Sequence, residues 1–451
     1  MKNKKIVFYV LLSLITLIPI CLIFSKSIWF DESYTLALIK HDYTDIVRIL
    51  KLDMHPPLYF LSLKLFCDIF GYSLVVTKIF SLLGYMSTIL VCGLILKKHF
   101  NAKTSLIFSL VFLAIPKLLY FSVQQRSYSW AIFFVTLCLL ETIVFFFKDD
   151  KLKRIIVMSF AALLAAYNHF FALLVIGIIY LMINIYVMIF KRKYLLHMII
   201  SDLFMLVGYA FWILPLFTQA RDAIGGFWVT GIDISTVFIF IGSIIIVTLL
   251  MLKKDNRRLD IIFISIVAIS FQAIALLGSI IIRPFYITRY VIVISGIGAL
   301  LIALGIDSIH KIIKTSVVGI FSVIGIISLV SSISFEYNDS MLKFLERSEN
   351  LIRKEDIFVY FDNSFGIMSY YYPENKHLCT YNKAWFDAFE SVDRIKSNEV
   401  IDYINDESKT YVVKMDYTKI PSDIYTRFEI NKIDEFRCDY NNFEMFELIL
   451  K

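Results

Sequence analysis

The chain has 451 residues, of which 59% are hydrophobic, 16% aromatic and only 18% charged, against about 25% charged in an ordinary soluble domain. No single water-exposed globule buries that apolar surplus, which excludes a soluble enzyme and a nucleic-acid binder. The net charge of +7 hides a division: residues 1–335 carry 15 acids against 30 bases, and residues 336–451 carry 23 against 15.

A membrane span needs about 20 mostly apolar residues. Such segments run over Ile6–Phe24, Leu74–Leu96, Ser105–Phe121, Ser129–Phe147, Ile155–Phe170 and Phe171–Phe190. Five more follow over Met198–Phe217, Thr236–Leu252, Ile261–Ile282, Tyr286–Ile309 and Ser316–Ile333, making about eleven. The first lacks a small-residue cleavage site and is expected to stay as an anchor. Basic clusters fall in alternate connections: Lys97/Lys98/Lys103, Lys148/Lys151/Lys153/Arg154, Lys191/Arg192/Lys193, Lys253/Lys254/Arg257/Arg258 and Lys311/Lys314. The positive-inside rule makes those connections and the N-terminus cytoplasmic. The acidic tail then lies outside.

The expected fold is a polytopic α-helical membrane body over 1–334, with a first outer loop at 25–73, and a small extracytoplasmic α/β domain over 335–451. Within that domain, Ile357–Phe361, Thr410–Met415, Ile430–Cys438 and Phe443–Leu450 read as strands, with Asn441-Asn442 a turn before the last. Ser364–Tyr372 and Asn398–Asn405 fit short helices. Cys379 and Cys438 share this domain, and whether they pair is left open. No Cys-x-x-Cys, His/Cys ligand spacing or phosphate loop occurs, so neither a structural zinc nor an ATP-driven engine is supported.

The acids of the membrane body narrow the search for chemistry. Glu141 sits inside a span near its cytoplasmic end, where snorkelling is the simple expectation. Six of the outer acids crowd into the first outer loop. There, Trp29-Phe30-Asp31-Glu32-Ser33 follows the first span, and Asp53-Met-His55-Pro56-Pro57-Leu58-Tyr59 ends in a proline pair suited to opening a helix over Leu58–Phe70. A second constellation, Gln124-Gln125-Arg126-Ser-Tyr128, occupies an outer turn where topology asks for no cation. An arginine fork there suits phosphate oxygens. Asn168-His169-Phe170 and Arg283-Pro284-Phe285-Tyr286-Ile-Thr-Arg289-Tyr290 repeat the theme at two further outer corners.

Taken together, these motifs resemble the polyprenyl-phosphate-dependent, multi-span glycosyltransferases of GT-C type. The likeness is greatest to bacterial relatives of the dolichyl-phosphate-mannose protein mannosyltransferases and the lipid A aminoarabinose transferase. It covers about residues 1–300, and its most specific element pairs Asp31-Glu32 with Asp53-x-His55-Pro56-Pro57. The resemblance implies a lipid-phosphate sugar donor, an outer-face active site and an aspartate base in the first loop, a role that falls to Asp31 with Glu32 beside it. Arg126 matches the family's phosphate-side arginine. Relatives often carry Glu two positions before it, where this chain has Gln124, so no carboxylate role is expected there.

Elementary chemistry agrees. A polyprenyl phosphate is a good leaving group and needs cations rather than a general acid, which casts Arg126, Arg283 and Arg289, with His55, Tyr128, His169 and Tyr290 around the substrate. The acceptor hydroxyl needs a base, Asp31 or Asp53. One base and direct attack imply inversion, by a hexosyl- or pentosyltransferase acting on an unidentified cell-envelope acceptor. Asp31, Glu32, Asp53 and His55 would offer ligands to a divalent metal, which the spacing does not require. The competing reading is a lipid-linked-sugar flippase or secondary transporter, which would place its polar groups near the bilayer midplane.

Overall fold

The computed structural model describes residues 2–226, 229, 231–251, 258–307, 311–380, 384–404, 408–438 and 441–451. Lys253, Lys254, Arg257 and Asn405 lie outside the described residues. The chain forms two units, one of Met1–Ile23, Met54–Ser62 and Phe66–Ser332, the other of Phe24–Asp53, Leu63–Leu65 and Ile333–Lys451.

In the first unit, helices follow the apolar segments. Among the described residues, nine helices of the chain are long and apolar enough to cross a membrane. Two expected spans fall short of the length of these nine helices. Ile155–Phe170 is realised as the 16-residue helix Lys153–Asn168, and Ser105–Phe121 breaks at Pro116 into Ala102–Ala114 and Leu118–Val123. The ring of Pro116 forces Ile115 out of helical conformation, to ψ 123. Lys117 then turns the chain through a left-handed φ of 63. The most buried spans are Tyr128–Phe147 and Thr288–Asp307, and Tyr128–Phe147 packs on Leu74–Ser87 and Lys153–Asn168. Glu141 does not snorkel. It is buried in an ion pair with Arg154 at 2.6 Å, because a carboxylate this deep is held by a partner more cheaply than by stretching to water.

The second unit is built on a six-stranded sheet in the order β3-β2-β1-β4-β6-β5. Its strands are β1 (Ile357–Tyr360), β2 (Lys376–Cys379), β3 (Val392–Arg394), β4 (Thr410–Met415), β5 (Phe428–Cys438) and β6 (Asn441–Leu450). β1 pairs in parallel with β2 and β4, β2 in parallel with β3, and the β5–β6 hairpin adds antiparallel to β4. β1, β4, β5 and β6 match the expected strands. Asn441 and Asn442, expected in a turn, open β6 opposite Cys438 and Arg437. Phe365–Tyr371 and the 3-10 turn Ser397–Tyr403 fill the two expected helical segments. Val359, Leu378, Val412, Phe428 and Leu448 form the core beneath the sheet. Cys379 and Cys438 are separate buried thiols, facing the carbonyls of Asp362 and Ile28.

The first-loop stretch of this unit folds onto the same framework. Ile28 N–H donates to the Tyr371 hydroxyl at 3.0 Å, and Ser25 Oγ donates to the Glu336 carbonyl at 2.5 Å. A Cβ on Gly366 would meet Ser33 Oγ at 2.9 Å, so glycine there lets the helices Phe30–Leu38 and Phe365–Tyr371 approach closely.

One buried histidine makes this unit acid-sensitive. His377 Nε2–H donates to the Tyr372 carbonyl at 2.8 Å, its Nδ1 accepts from the Tyr360 hydroxyl at 2.7 Å, and its ring stacks on Phe358. Burial pushes the imidazole from 6.5 down to about 4. Because the unfolded ring binds a proton that the folded ring refuses, its contribution is complete above pH 6.5 and is lost as pH falls toward 4. That amounts to roughly 3 kcal/mol. Hydrogen exchange of the full-length protein is therefore expected to show β1 and β2 losing protection over this window, and His377→Gln to flatten the dependence.

Candidate active site

The Arg126 turn is gripped by the helix Leu74–Ser87. Gln125 Nε2 donates to Thr77 Oγ1 at 3.3 Å, Ser129 Oγ donates to the Ser81 carbonyl at 2.5 Å, and Trp130 Nε1 donates to the Phe80 carbonyl at 2.9 Å. Gly84 allows this approach, since a Cβ on it would lie 2.7 Å from the backbone at Ser129 and Trp130. Gly84→Val is thus expected to cost about 1–3 kcal/mol through overpacking, read as a lowered melting temperature in detergent, and to reduce activity by displacing the turn.

Held this way, Arg126 is buried and donates from Nη2 to His55 Nε2. Phe60 completes the cradle, with its ring 5.9 Å from the guanidinium and 5.8 Å from the His55 ring. His55 stands immediately before Pro56-Pro57, and the helix Leu58–Phe70 opens directly after the proline pair, as expected. The Gln124 amide is buried, and both its oxygen and its nitrogen are without a hydrogen-bond partner among the described residues.

The other two corners converge on the same place. Tyr128 begins the helix Tyr128–Phe147, and its ring lies 5.8 Å from that of His169. His169 caps the helix Phe170–Phe190, its Nδ1 accepting from Phe171 N–H at 3.1 Å. That bond leaves Nε2 as the protonated nitrogen. The His169 ring is 6.1 Å from Tyr290, and His169 lies within electrostatic reach of His55, Arg126 and Arg289. Arg289 is buried with its guanidinium 5.2 Å from the Tyr290 ring, while Tyr290 stacks on Phe171 at 5.0 Å. The first unit thus brings together His55, Arg126, Tyr128, His169, Arg289 and Tyr290. Both permanent charges in the cluster are arginines. Arg283 is half-buried at the start of the connection that leads to Arg289.

Asp233 supports that connection, a role sequence reasoning missed. Its carboxylate accepts from Ser235, Thr236 and Thr288 hydroxyls at 2.6–2.9 Å, tying the residue before Arg289 to the start of Ile234–Met251. Burial pushes its carboxyl up, but hydrogen bonds from Ser235, Thr288 and Thr236 outweigh it and hold it down at about 2. The Asp-x-Ser-Thr spacing was a readable cap signal, whereas the bond to Thr288 spans 55 residues.

Asp31, Glu32 and Asp53 belong to the second unit. Asp31 and Glu32 occupy the first turn of Phe30–Leu38, where the positive end of the helix favours carboxylates. Glu32 is buried and accepts from Trp29 N–H at 2.8 Å, closing that turn, while Asp31 remains half-buried. Asp53 ends the helix Tyr43–Leu52 and is also half-buried. Among the described residues, no three His, Cys, Asp or Glu side chains gather as a metal-holding group.

Comparison with solved structures settles the architecture. ArnT from Cupriavidus metallidurans, bound to undecaprenyl phosphate, matches with a TM-score of 0.66 over 99% of this chain and 98% of its own, at 10% identity. The chain has the ArnT fold. The apo form of ArnT matches at a TM-score of 0.68 and 8% identity with the same coverage. The archaeal oligosaccharyltransferase AglB from Archaeoglobus fulgidus, in complex with an inhibitory peptide and a dolichol-phosphate, matches at 0.51 and 12% identity, over 91% of this chain and 70% of that one. No protein-family model and no curated protein matches the sequence. The ArnT fold makes this chain a multi-pass helical membrane protein with a small C-terminal α/β domain.

Proposed function

We propose that this chain transfers a sugar from a polyprenyl-phosphate donor to an acceptor hydroxyl at the outer face of the membrane, with inversion at the anomeric carbon. One observation carries the reading: two buried arginines and two histidines meet among aromatic rings in a chain of the ArnT fold. Such a cluster suits a lipid phosphate, whose charge the arginines offset in a setting of low dielectric.

In the proposed step, Asp31 takes the proton of the acceptor hydroxyl as that oxygen bonds to the anomeric carbon. The bond from carbon to phosphate oxygen breaks in the same displacement, and the polyprenyl phosphate leaves with both bonding electrons. Arg126 and Arg289 hold the phosphate as its charge grows, and Arg283 is assigned to the same role. His55 keeps the Arg126 fork oriented, His169 donates from Nε2, and Tyr128 and Tyr290 flank the sugar. Glu32 fixes the turn that carries Asp31, and Asp53 is a second carboxylate near the acceptor. The step as written needs no metal. In the proposed orientation, the N-terminus is cytoplasmic and the acidic domain faces outward with its envelope acceptor.

The stereochemical outcome tests this directly. Purified protein in nanodiscs, given a polyprenyl-phosphate sugar of known anomeric configuration and an envelope extract as acceptor, is expected to yield free polyprenyl phosphate and a product of opposite configuration by NMR. A product of retained configuration would require a second carboxylate as nucleophile and would overturn the single-displacement step.

A further inference from the structure

The helix Lys153–Asn168 has the arginine–histidine cluster near its last residue and a different structure at its first. A cavity of about 330 Å³ opens there, lined by Lys98, His99, Glu141, Lys153 and Arg154 together with apolar side chains. Its floor is built. Arg154 is buried and donates to Glu141 at 2.6 Å, to Asp149 at 3.2 Å and to His99 Nε2 at 2.7 Å. These bonds fix the guanidinium, and Glu141 is spent in the pairing. The remaining charge on the lining belongs to Lys98 and Lys153, both exposed and neither in an ion pair among the described residues. At the rim, Leu94 and Val157 are 43% and 40% exposed, an apolar edge on a helical body whose outer surface faces lipid.

We propose that this cavity binds an anionic phosphate group presented by a phospholipid, with the phosphate between Lys98 and Lys153 over the Arg154–Glu141 floor and acyl chains along Leu94 and Val157. The three cations of the lining exceed its one carboxylate, the floor is too firmly paired to collapse onto the lysines, and the apolar rim distinguishes a lipid from a free ion. Basic pockets between transmembrane helices hold anionic headgroups by this chemistry. The site is independent of the transfer reaction and stands or falls separately from it.

The test is native mass spectrometry of the delipidated full-length protein with phosphatidylglycerol or phosphatidylcholine added back. Parent protein is expected to retain phosphatidylglycerol in preference to phosphatidylcholine. K98Q/K153Q should weaken that retention by about fivefold for each lysine removed. K193Q, which removes an exposed lysine outside the cavity, should leave it unchanged. Inorganic phosphate alone serves as competitor: failure to displace the lipid supports a headgroup site, and displacement at comparable affinity assigns the same lysines to a soluble anion. Retention by K98Q/K153Q equal to the parent, or an equal loss in K193Q, would overturn the proposal.

Discussion

Asp31→Asn is expected to cut sugar transfer by about 10²–10⁴-fold, the usual contribution of a positioned general base, while leaving donor affinity intact. Asn keeps the size and polarity of the side chain but cannot take a proton from the acceptor. The surrounding turn should survive, because the bond that closes it runs from Trp29 N–H to Glu32 and does not involve the Asp31 carboxylate. Steady-state kinetics with donor saturating should therefore show the loss in kcat.

Arg126→Ala is expected to lower transfer by about 10²–10³-fold with a raised KM for the donor. Its guanidinium is buried, bound to His55 and set over the Phe60 ring, so few other groups can take its place near the phosphate. Removing it also leaves His55 Nε2 without its donor, at about 1 kcal/mol of stability, which a melting curve separates from the kinetic effect. Arg126→Lys should restore only part of the activity, because an ammonium lacks the planar fork that grips two oxygens at once.

Much of the architecture was legible because lipid imposes a simple rule on sequence: apolar runs of sufficient length become helices. Pro56-Pro57 announced the start of the helix at Leu58, whereas Ser105–Phe121 was read as one span although Pro116 breaks it. The strands β1, β4, β5 and β6 were legible from their β-branched and aromatic content, whereas Lys-His-Leu-Cys of β2 and Val-Asp-Arg of β3 carry little of it. Long-range pairing was not legible at all. Nothing local says that Arg154 neutralises Glu141, that Asp233 anchors Thr288, or that Arg126 meets His55 across 71 positions. The corner motifs were found separately; their convergence around His169 is a property of the packed helices. The chain segment Phe24–Asp53 also joins the acidic domain's unit, which composition alone could not indicate.

The most direct test follows a labelled polyprenyl-phosphate sugar through binding and transfer in parent, D31N and R126A protein, each reconstituted in nanodiscs and checked for folding by its melting curve. The account predicts that D31N binds donor like the parent but forms labelled product at least about 100-fold more slowly, and that R126A binds donor more weakly and slows transfer by about 10²–10³-fold. Transfer by folded D31N and R126A at the parental rate would contradict it.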